Sequence, residues 1–345
     1  MDNNREGFNP LVLLAFAALT FAVLALCVSI GSVHIPLSEV ITVMIALGRS
    51  SILEDNMTAT IIRDVRLPRV ITAALTGASL SVCGGAMQGL LKNPLADGTT
   101  LGVSSGASLG AVIAIAFGIS IPFIPFAGTV VMAMLFAFIS LFLILTLAYQ
   151  MDFSLSTNTI ILIGVIYSMF VSSIVAFLTT FASDRVRQIT FWSMGSLSGS
   201  NFVNVWTLII ALAICGSIIL SHARELNAFA VGEDNARHVG VNVKRVKLII
   251  MIAVSALIGV CVSIGGTIGF VGLVTPHMIR MISGPNHKRL LPACAFGGAV
   301  FLMLADLVAR TILNPLELPI GVVTSFTGAL LFIYIFYTAR RKSHA

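Results

Sequence analysis

Residues 11–30 read LVLLAFAALTFAVLALCVSI, twenty positions without one charged side chain. At a helical rise of ~1.5 Å per residue that run is about 30 Å long, the thickness of a bilayer's hydrocarbon core. A helix that is apolar all round has no face to offer water, so this segment predicts a membrane span. It is longer than the ~7–15 residue apolar region of a secretory leader, and Asp2 and Glu6 offset Arg5 in front of it. We therefore read it as a first helix of the mature protein.

Similar runs recur along the chain. Spans are expected at Leu11 to Ile30, Val70 to Leu91, Thr100 to Gly118, Phe126 to Ala148, Thr157 to Thr179, Asn204 to Ser221, Lys247 to Gly265, Ile268 to Ser283, Leu291 to Ala309 and Pro319 to Thr338. Composition agrees: 57% of the 345 residues are hydrophobic and 10% charged, where a soluble domain carries roughly 25% charged residues. Mean hydropathy is +1.03. The expected fold class is an all-α integral membrane protein of about ten transmembrane helices, one transmembrane domain over residues 1–345.

An even number of spans puts both termini on one side. Thirteen of the 20 lysines and arginines then fall on the terminal side and seven (Arg49, Arg63, Arg66, Arg69, Arg185, Arg187 and Arg310) on the other. The positive-inside tendency makes the terminal side cytoplasmic. The net charge of +6 is scattered between spans, without the contiguous patch that nucleic acid would require. All five cysteines lie within apolar runs, with no CxxC pair and no histidines at ligand spacing, so they read as core residues and no metal site is expected.

Two polar segments exceed a simple connector. The outer one, Gly31 to Arg69, contains RDVRLPR at 63–69; the inner one, 222–246, reads HARELNAFAVGEDNARHVGVNVKRV. In the latter an apolar half, Leu226 to Val231, meets Gly232, after which Glu233 and Arg237 stand at i,i+4 and Gly240 offers a C-terminal stop. This predicts a helix, a glycine bend and a second short helix, with an apolar face to set against lipid or a partner.

Chemistry is sparse. There is no G-x-x-x-x-G-K-[ST], so the chain has no phosphate-binding loop; if transport uses ATP, another chain hydrolyses it. Ion-coupled carriers usually place Asp, Glu or His inside spans, and of these only Asp306, four residues before Arg310, and His277 stand there. A local ion pair and a packing histidine are the plainer readings of those two. Gly102-Val103-Ser104-Ser105-Gly106 fits the nucleophile-elbow pattern, but it lies in a span rather than a strand-to-helix turn. Ser104 is read instead as a small polar residue for packing or a channel wall. No catalytic residue is assigned. The stripes Gly85xxxGly89, Gly102xxxGly106, Gly106xxxGly110 and Gly265xxxGly269 are those that let membrane helices approach closely.

Taken together, RLPR at 66–69, GAMQGLLKNPLADGTTLGVSSGASLGA at 85–111, FWSMGSLSG at 191–199, LNAFAVGEDNARHVGV at 226–241, GGTIGFVGLVTPHMIRMISGPNHKRLLP at 265–292, ADLVAR from Ala305 and ELPIGVVTSFTGALLF up to Phe332 closely resemble one family. It is the FecCD-type permeases of ABC importers for iron siderophores, haem and vitamin B12. Gly98-Thr99-Thr100 departs from the pattern, which carries a proline soon after the aspartate.

The resemblance implies a type II ABC importer bundle like that of the vitamin B12 permease. It would be a homodimer, or a dimer with a close paralogue, in a bacterial inner membrane. Cytoplasmic ATP-binding cassette subunits would bind the ATP, the chain itself holding no cofactor, and an extracytoplasmic binding protein would deliver the ligand. The ATPase would couple through about 224–246, at Leu226, Ala228, Val231, Gly232, Glu233 and Arg237. The binding protein would dock on Arg66, Arg69 and Arg310, which run against the positive-inside tendency; headgroup anchoring is the alternative. Ser156, Thr157 and Asn158 match the family's inner gate and equally suit a helix N-cap, while Ser104 is expected along the path.

Overall fold

The computed structural model describes residues 10–31, 35–46, 57–98, 101–121, 127–153 and 156–343. Arg5, Arg49, the departure at Thr99-Thr100 and parts of the outer polar segment lie outside the described residues. In chain order the helices are α1 (Pro10–Ser29), α2 (Leu37–Ala46), α3 (Met57–Leu90, with a π-helical stretch Ile61–Arg66), α4 (Val103–Phe117), α5 (Ala127–Met151), α6 (Thr157–Phe181) and α7 (Val186–Ser193). There follow α8 (Phe202–Ser221), α9 (Ala223–Val231), α10 (Glu233–His238), α11 (Val243–Gly265), α12 (Val271–Ser283), α13 (His287–Thr311) and α14 (Ile320–Ser343).

Every predicted span coincides with a helix, and among the described residues seven (α1, α3, α5, α6, α8, α11 and α13) are long and apolar enough to cross a membrane. Two of the others are half-length: α4 has 15 residues and α12 has 13, about 22 and 20 Å at 1.5 Å per residue. Neither reaches across a ~30 Å core alone. In α14 the apolar stretch is Ile320–Ile335.

The helices are sorted by how much of each is enclosed. In α3, 78% of the most apolar window is buried, and in α11 72%, against 11% in α1 and 22% in α6. So α3 is the axis of the bundle, while α1, α5, α6 and α14 leave Phe21, Phe142, Phe170 and Phe326 exposed in the single chain.

Alongside α3 lies α13, antiparallel and in register from end to end. Arg69 meets Asp306 at one end, Gly77 meets Gly298 in the middle, and Gly89 faces His287 at the other. A Cβ on Gly77 would run into the carbonyl of Gly298, and one on Gly298 into that of Gly77. Here a glycine is required by contact between backbones, the small-residue packing of membrane helices. The Gly106 and Gly110 stripe of α4 likewise faces Met132, Phe136 and Ser140 of α5, so packing accounts for it.

Gly77→Val should therefore disrupt the α3–α13 contact, whereas Gly199→Ala, with nothing within 4 Å of the added methyl, should be neutral. Size-exclusion chromatography and thermal unfolding in detergent check this: we expect loss of the monodisperse, cooperatively unfolding species for the first variant only.

Candidate functional site

A cavity of about 780 Å³ opens among α3, α4, α6, α11, α12 and α14. Its wall carries Ser104, Ser105 and Ser108 of α4, Thr76 of α3, Ser172 of α6 and Ser325 of α14, with aliphatic carbons between them. The volume falls within the ~300–1,000 Å³ of clefts that hold sizeable ligands. Among the lining residues Asp97 is the one ionisable carboxylate, and no lysine or arginine is present.

The cavity explains the two half-length helices. Asp97 and Gly98 precede α4, and Gly266, Thr267, Ile268 and Gly269 precede α12; all six line the cavity. Irregular backbone at membrane depth is tolerated where it lines a cavity or is enclosed by protein, because lipid cannot satisfy its N–H and C=O groups. Gly266 meets part of that demand by donating its N–H to the Val262 carbonyl. Ser104 lines this cavity. His277 and Asp306 are not among the lining residues.

At one end of α3 three arginines, two acids and backbone carbonyls form a closed cluster. Arg69 donates Nε to Asp306 Oδ1 (3.0 Å) and Nη1 to both Glu317 oxygens (2.9 and 3.0 Å). Arg310 Nε lies 3.5 Å from Asp306 Oδ2, and its Nη2 donates to the Cys27 carbonyl. Arg66 Nη1 donates to the carbonyls of Val28 and Ser29 (2.9 Å each). Arg66, Arg69, Arg310 and Asp306 are all buried.

The three arginines expected at an open rim thus point inward. Asp306 is shared between Arg69 and Arg310 rather than kept by the i,i+4 neighbour, because α13 lies against α3 and brings both forks to one carboxylate. Glu317, whose side chain is 43% exposed, is the member that reaches the surface. The sequence reading did not single it out.

At the opposite end, about 30 Å away along α3 at 1.5 Å per residue, sit α9 and α10. The helix, bend and helix form as expected, and Gly232 supplies the bend with φ 145° and ψ 150°, a region essentially restricted to glycine. Gly240, at φ 87°, ends α10; its N–H and that of Val241 bond to the carbonyls of Arg237 and Ala236. The expected partner surface is smaller than Leu226 to Val231 suggested. Leu226 is fully buried in the chain's own core together with Phe229, and Ala228 packs against it. What remains outward is Ala230 and Val231, with Val239 and Arg237 beyond the bend.

Arg237 pairs with Asp234 (3.3 Å) and not with Glu233. Glu233 turns back instead, and its Oε1 accepts from Lys247 Nζ (2.7 Å) and from Thr157 Oγ1 (3.1 Å). Lys247 is fully buried one turn inside α11, and a buried ammonium demands a counter-charge. Nearby, Asn227 of α9 accepts from the backbone N–H and ring Nδ1 of His287 (2.8 Å each) and donates to Asn286 Oδ1 (2.8 Å). Lys247, Asn227, Asn286 and His287 were missed by sequence reading; a lysine at the mouth of an apolar run was the one signal on offer.

Ser156 is the N-cap of α6: its Oγ accepts from the Thr159 N–H (3.4 Å). Asn158 is exposed, and none of Ser156, Thr157 and Asn158 touches the cavity. The cap reading holds for Ser156, and Thr157 belongs to the link with Glu233.

The FecCD transport family matches residues 19–338, and the chain belongs to that family of ABC importer permeases. An uncharacterised ABC transporter permease of Bacillus subtilis is 42% identical over 99% of this chain and 96% of its own length. The cobalamin import system permease of Halobacterium salinarum is 36% identical over 80% of this chain and 73% of its own. Among solved structures, an inward-facing transporter described as of the metal-chelate ABC type superposes with a TM-score of 0.84 at 31% identity, covering 96% of this chain and all of the other.

Asp306→Asn should leave two buried guanidiniums without their shared charge, a loss of roughly 3–5 kcal/mol for a broken buried pair. We expect a clearly lowered unfolding temperature in detergent; an unchanged midpoint would show that the cluster is solvated. A cysteine at Ser104, in a background with the five native cysteines replaced, should react with a small polar thiol reagent, while one at Ala107, buried on the same helix, should not.

Proposed function

We propose that this permease is the channel-forming half of an ATP-driven, binding-protein-dependent importer, taking a ferric siderophore, or else haem or a cobalamin-type ligand, into the cytoplasm. The observation that carries the reading is the cavity: large, walled by hydroxyls, glycines and aliphatic carbon, and free of strong charge apart from Asp97. Such a wall suits passage of a bulky, rigid chelate, since it offers no set of fixed charges to hold one tightly. The name of the halobacterial relative and the metal-chelate type of the superposed transporter support the cargo class. With no phosphate-binding loop in the chain, ATP is hydrolysed by partner subunits.

In this reading two copies, or this chain and a close paralogue, enclose the path in a bacterial inner membrane with both termini cytoplasmic. The ATPase meets α9 and α10 across Val231, Arg237 and Val239, with Leu226, Ala228 and Gly232 setting their shape. Ser156, Thr157 and Asn158 sit at the inner gate. The binding protein docks over Arg66, Arg69 and Arg310, and the geometry adds a condition: its carboxylate reaches Arg69 by taking the place of Glu317.

Two measurements test this. The chain reconstituted with a partner ATPase in liposomes should take up radiolabelled ferric chelate on addition of ATP and binding protein, and an ionophore should leave uptake intact; uptake that follows the ion gradient without ATP would overturn the reading. In surface binding, Glu317→Gln should speed capture of the binding protein and Arg69→Glu should slow it, as charge changes near a rim act mainly on association. Unchanged kinetics in both variants would remove the docking role.

A further inference from the structure

We infer that Thr157, Glu233 and Lys247 form a mechanical link that passes movement of the α9–α10 segment to α6, the least enclosed wall of the cavity, with Glu233 as its positioning residue. The inference rests on the reading of α9–α10 as the surface that meets the ATPase.

Three observations carry it. First, a single oxygen holds three elements together. Glu233 Oε1 stands at the N-terminus of α10 and accepts from the start of α6 through Thr157 and from the body of α11 through Lys247. Hydrogen bonds to a charged acceptor are about twice as strong as neutral ones. The Lys247 ammonium is fully enclosed, so its contact with Glu233 is sheltered from water. Glu233 is thereby fixed to α11, one of the two most buried helices, and Thr157 is fixed to Glu233.

Second, the direction of Glu233 is set by the backbone. Gly232 at φ 145° turns the chain so that Glu233 leaves its helical neighbour Arg237 to Asp234 and points back into the bundle. An acid chosen only to support a short exposed helix would have no need of this.

Third, α6 is suited to act as a lever. It runs 25 residues from Thr157 to Phe181 without a proline, and only 22% of its most apolar window is enclosed. Val171, Ser172, Val175 and Ala176 line the cavity. They stand about 20–28 Å along the helix from Thr157 at 1.5 Å per residue. A displacement at the first residue of an unbroken helix tilts the whole rod, so a shift of α10 is delivered at the cavity wall. The second attachment of the segment, Asn227 to Asn286 and His287, ties α9 to α13 and supplies the pivot.

The test uses the chain reconstituted with its ATPase in liposomes and two readouts. One is chelate imported per ATP hydrolysed. The other is the distance between spin labels at Leu162 in α6 and His238 in α10, both exposed in the single chain, in the cysteine-free background with and without nucleotide. Thr157→Val keeps shape and removes the hydroxyl; it should lower chelate per ATP on the order of tenfold, the scale of one hydrogen bond to a charged group.

In the parent the label distance should stay constant as nucleotide is added, and in Thr157→Val it should vary. If Glu233→Gln fails to fold around the buried lysine, Glu233→Gln combined with Lys247→Met keeps the test open and should reproduce the Thr157→Val defect. Adding Thr157→Val to that pair should cost nothing more. Equal chelate per ATP and equal label distances in parent and Thr157→Val would overturn the link. A complex that imports no chelate with any variant would overturn the importer reading, while the label distances still decide the link.

Discussion

Everything in this molecule is arranged about the antiparallel contact of α3 and α13. Lipid offers no hydrophobic drive for helices to associate, so two membrane helices stay together through close packing and internal polar bonds. Here the close packing is backbone against backbone at Gly77 and Gly298, and the polar bond is the Arg69–Asp306 pair. The pair could not survive on a splayed interface, where water would screen it, and the glycines fix how near the two chains come. Together they make the seam the stiff part of the permease.

From that seam the two ends and the cavity follow. One end of the seam holds the arginine cluster; at the other, α9 buries Leu226 and Phe229 in the core and bonds to the start of α13 through Asn227. Between them α4 and α12 begin part-way along the bundle, and the irregular backbone before each lies on the cavity wall. The least enclosed of the long helices are α1, α6, α8 and α5. Of these α6 reaches both the cavity and Glu233, which makes it the wall most free to tilt.

Much of this was legible in the sequence. Uninterrupted apolar runs give helix positions whatever the tertiary fold, because a span must satisfy its own backbone, and all ten predicted spans coincide with helices. The bend at Gly232 was legible for a related reason: a glycine between two amphipathic halves has few other uses. What stayed hidden was the direction of polar side chains. Spacing pointed Glu233 to Arg237, but the buried Lys247 claimed it, and α11 is distant in sequence from the bend only by a turn that leaves no periodic trace. Spacing paired Asp306 with Arg310, but only the neighbouring helix could reveal that Arg69 shares the same carboxylate. Leu226 and Phe229 illustrate the converse: an apolar face near a membrane surface can be met by the chain's own core as readily as by a partner.

The central claim is that a fixed α3–α13 seam carries a movable α6 clipped to the α9–α10 segment. Hydrogen exchange measured by peptide across the chain, reconstituted with its ATPase and compared with and without bound nucleotide, tests it most directly. The account predicts slow and unchanged exchange from Thr72 to Leu80 in α3 and from Ala293 to Met303 in α13, with altered exchange confined to α9, α10 and the first turns of α6. A nucleotide-dependent change in the seam, with α9, α10 and α6 unaffected, would contradict it.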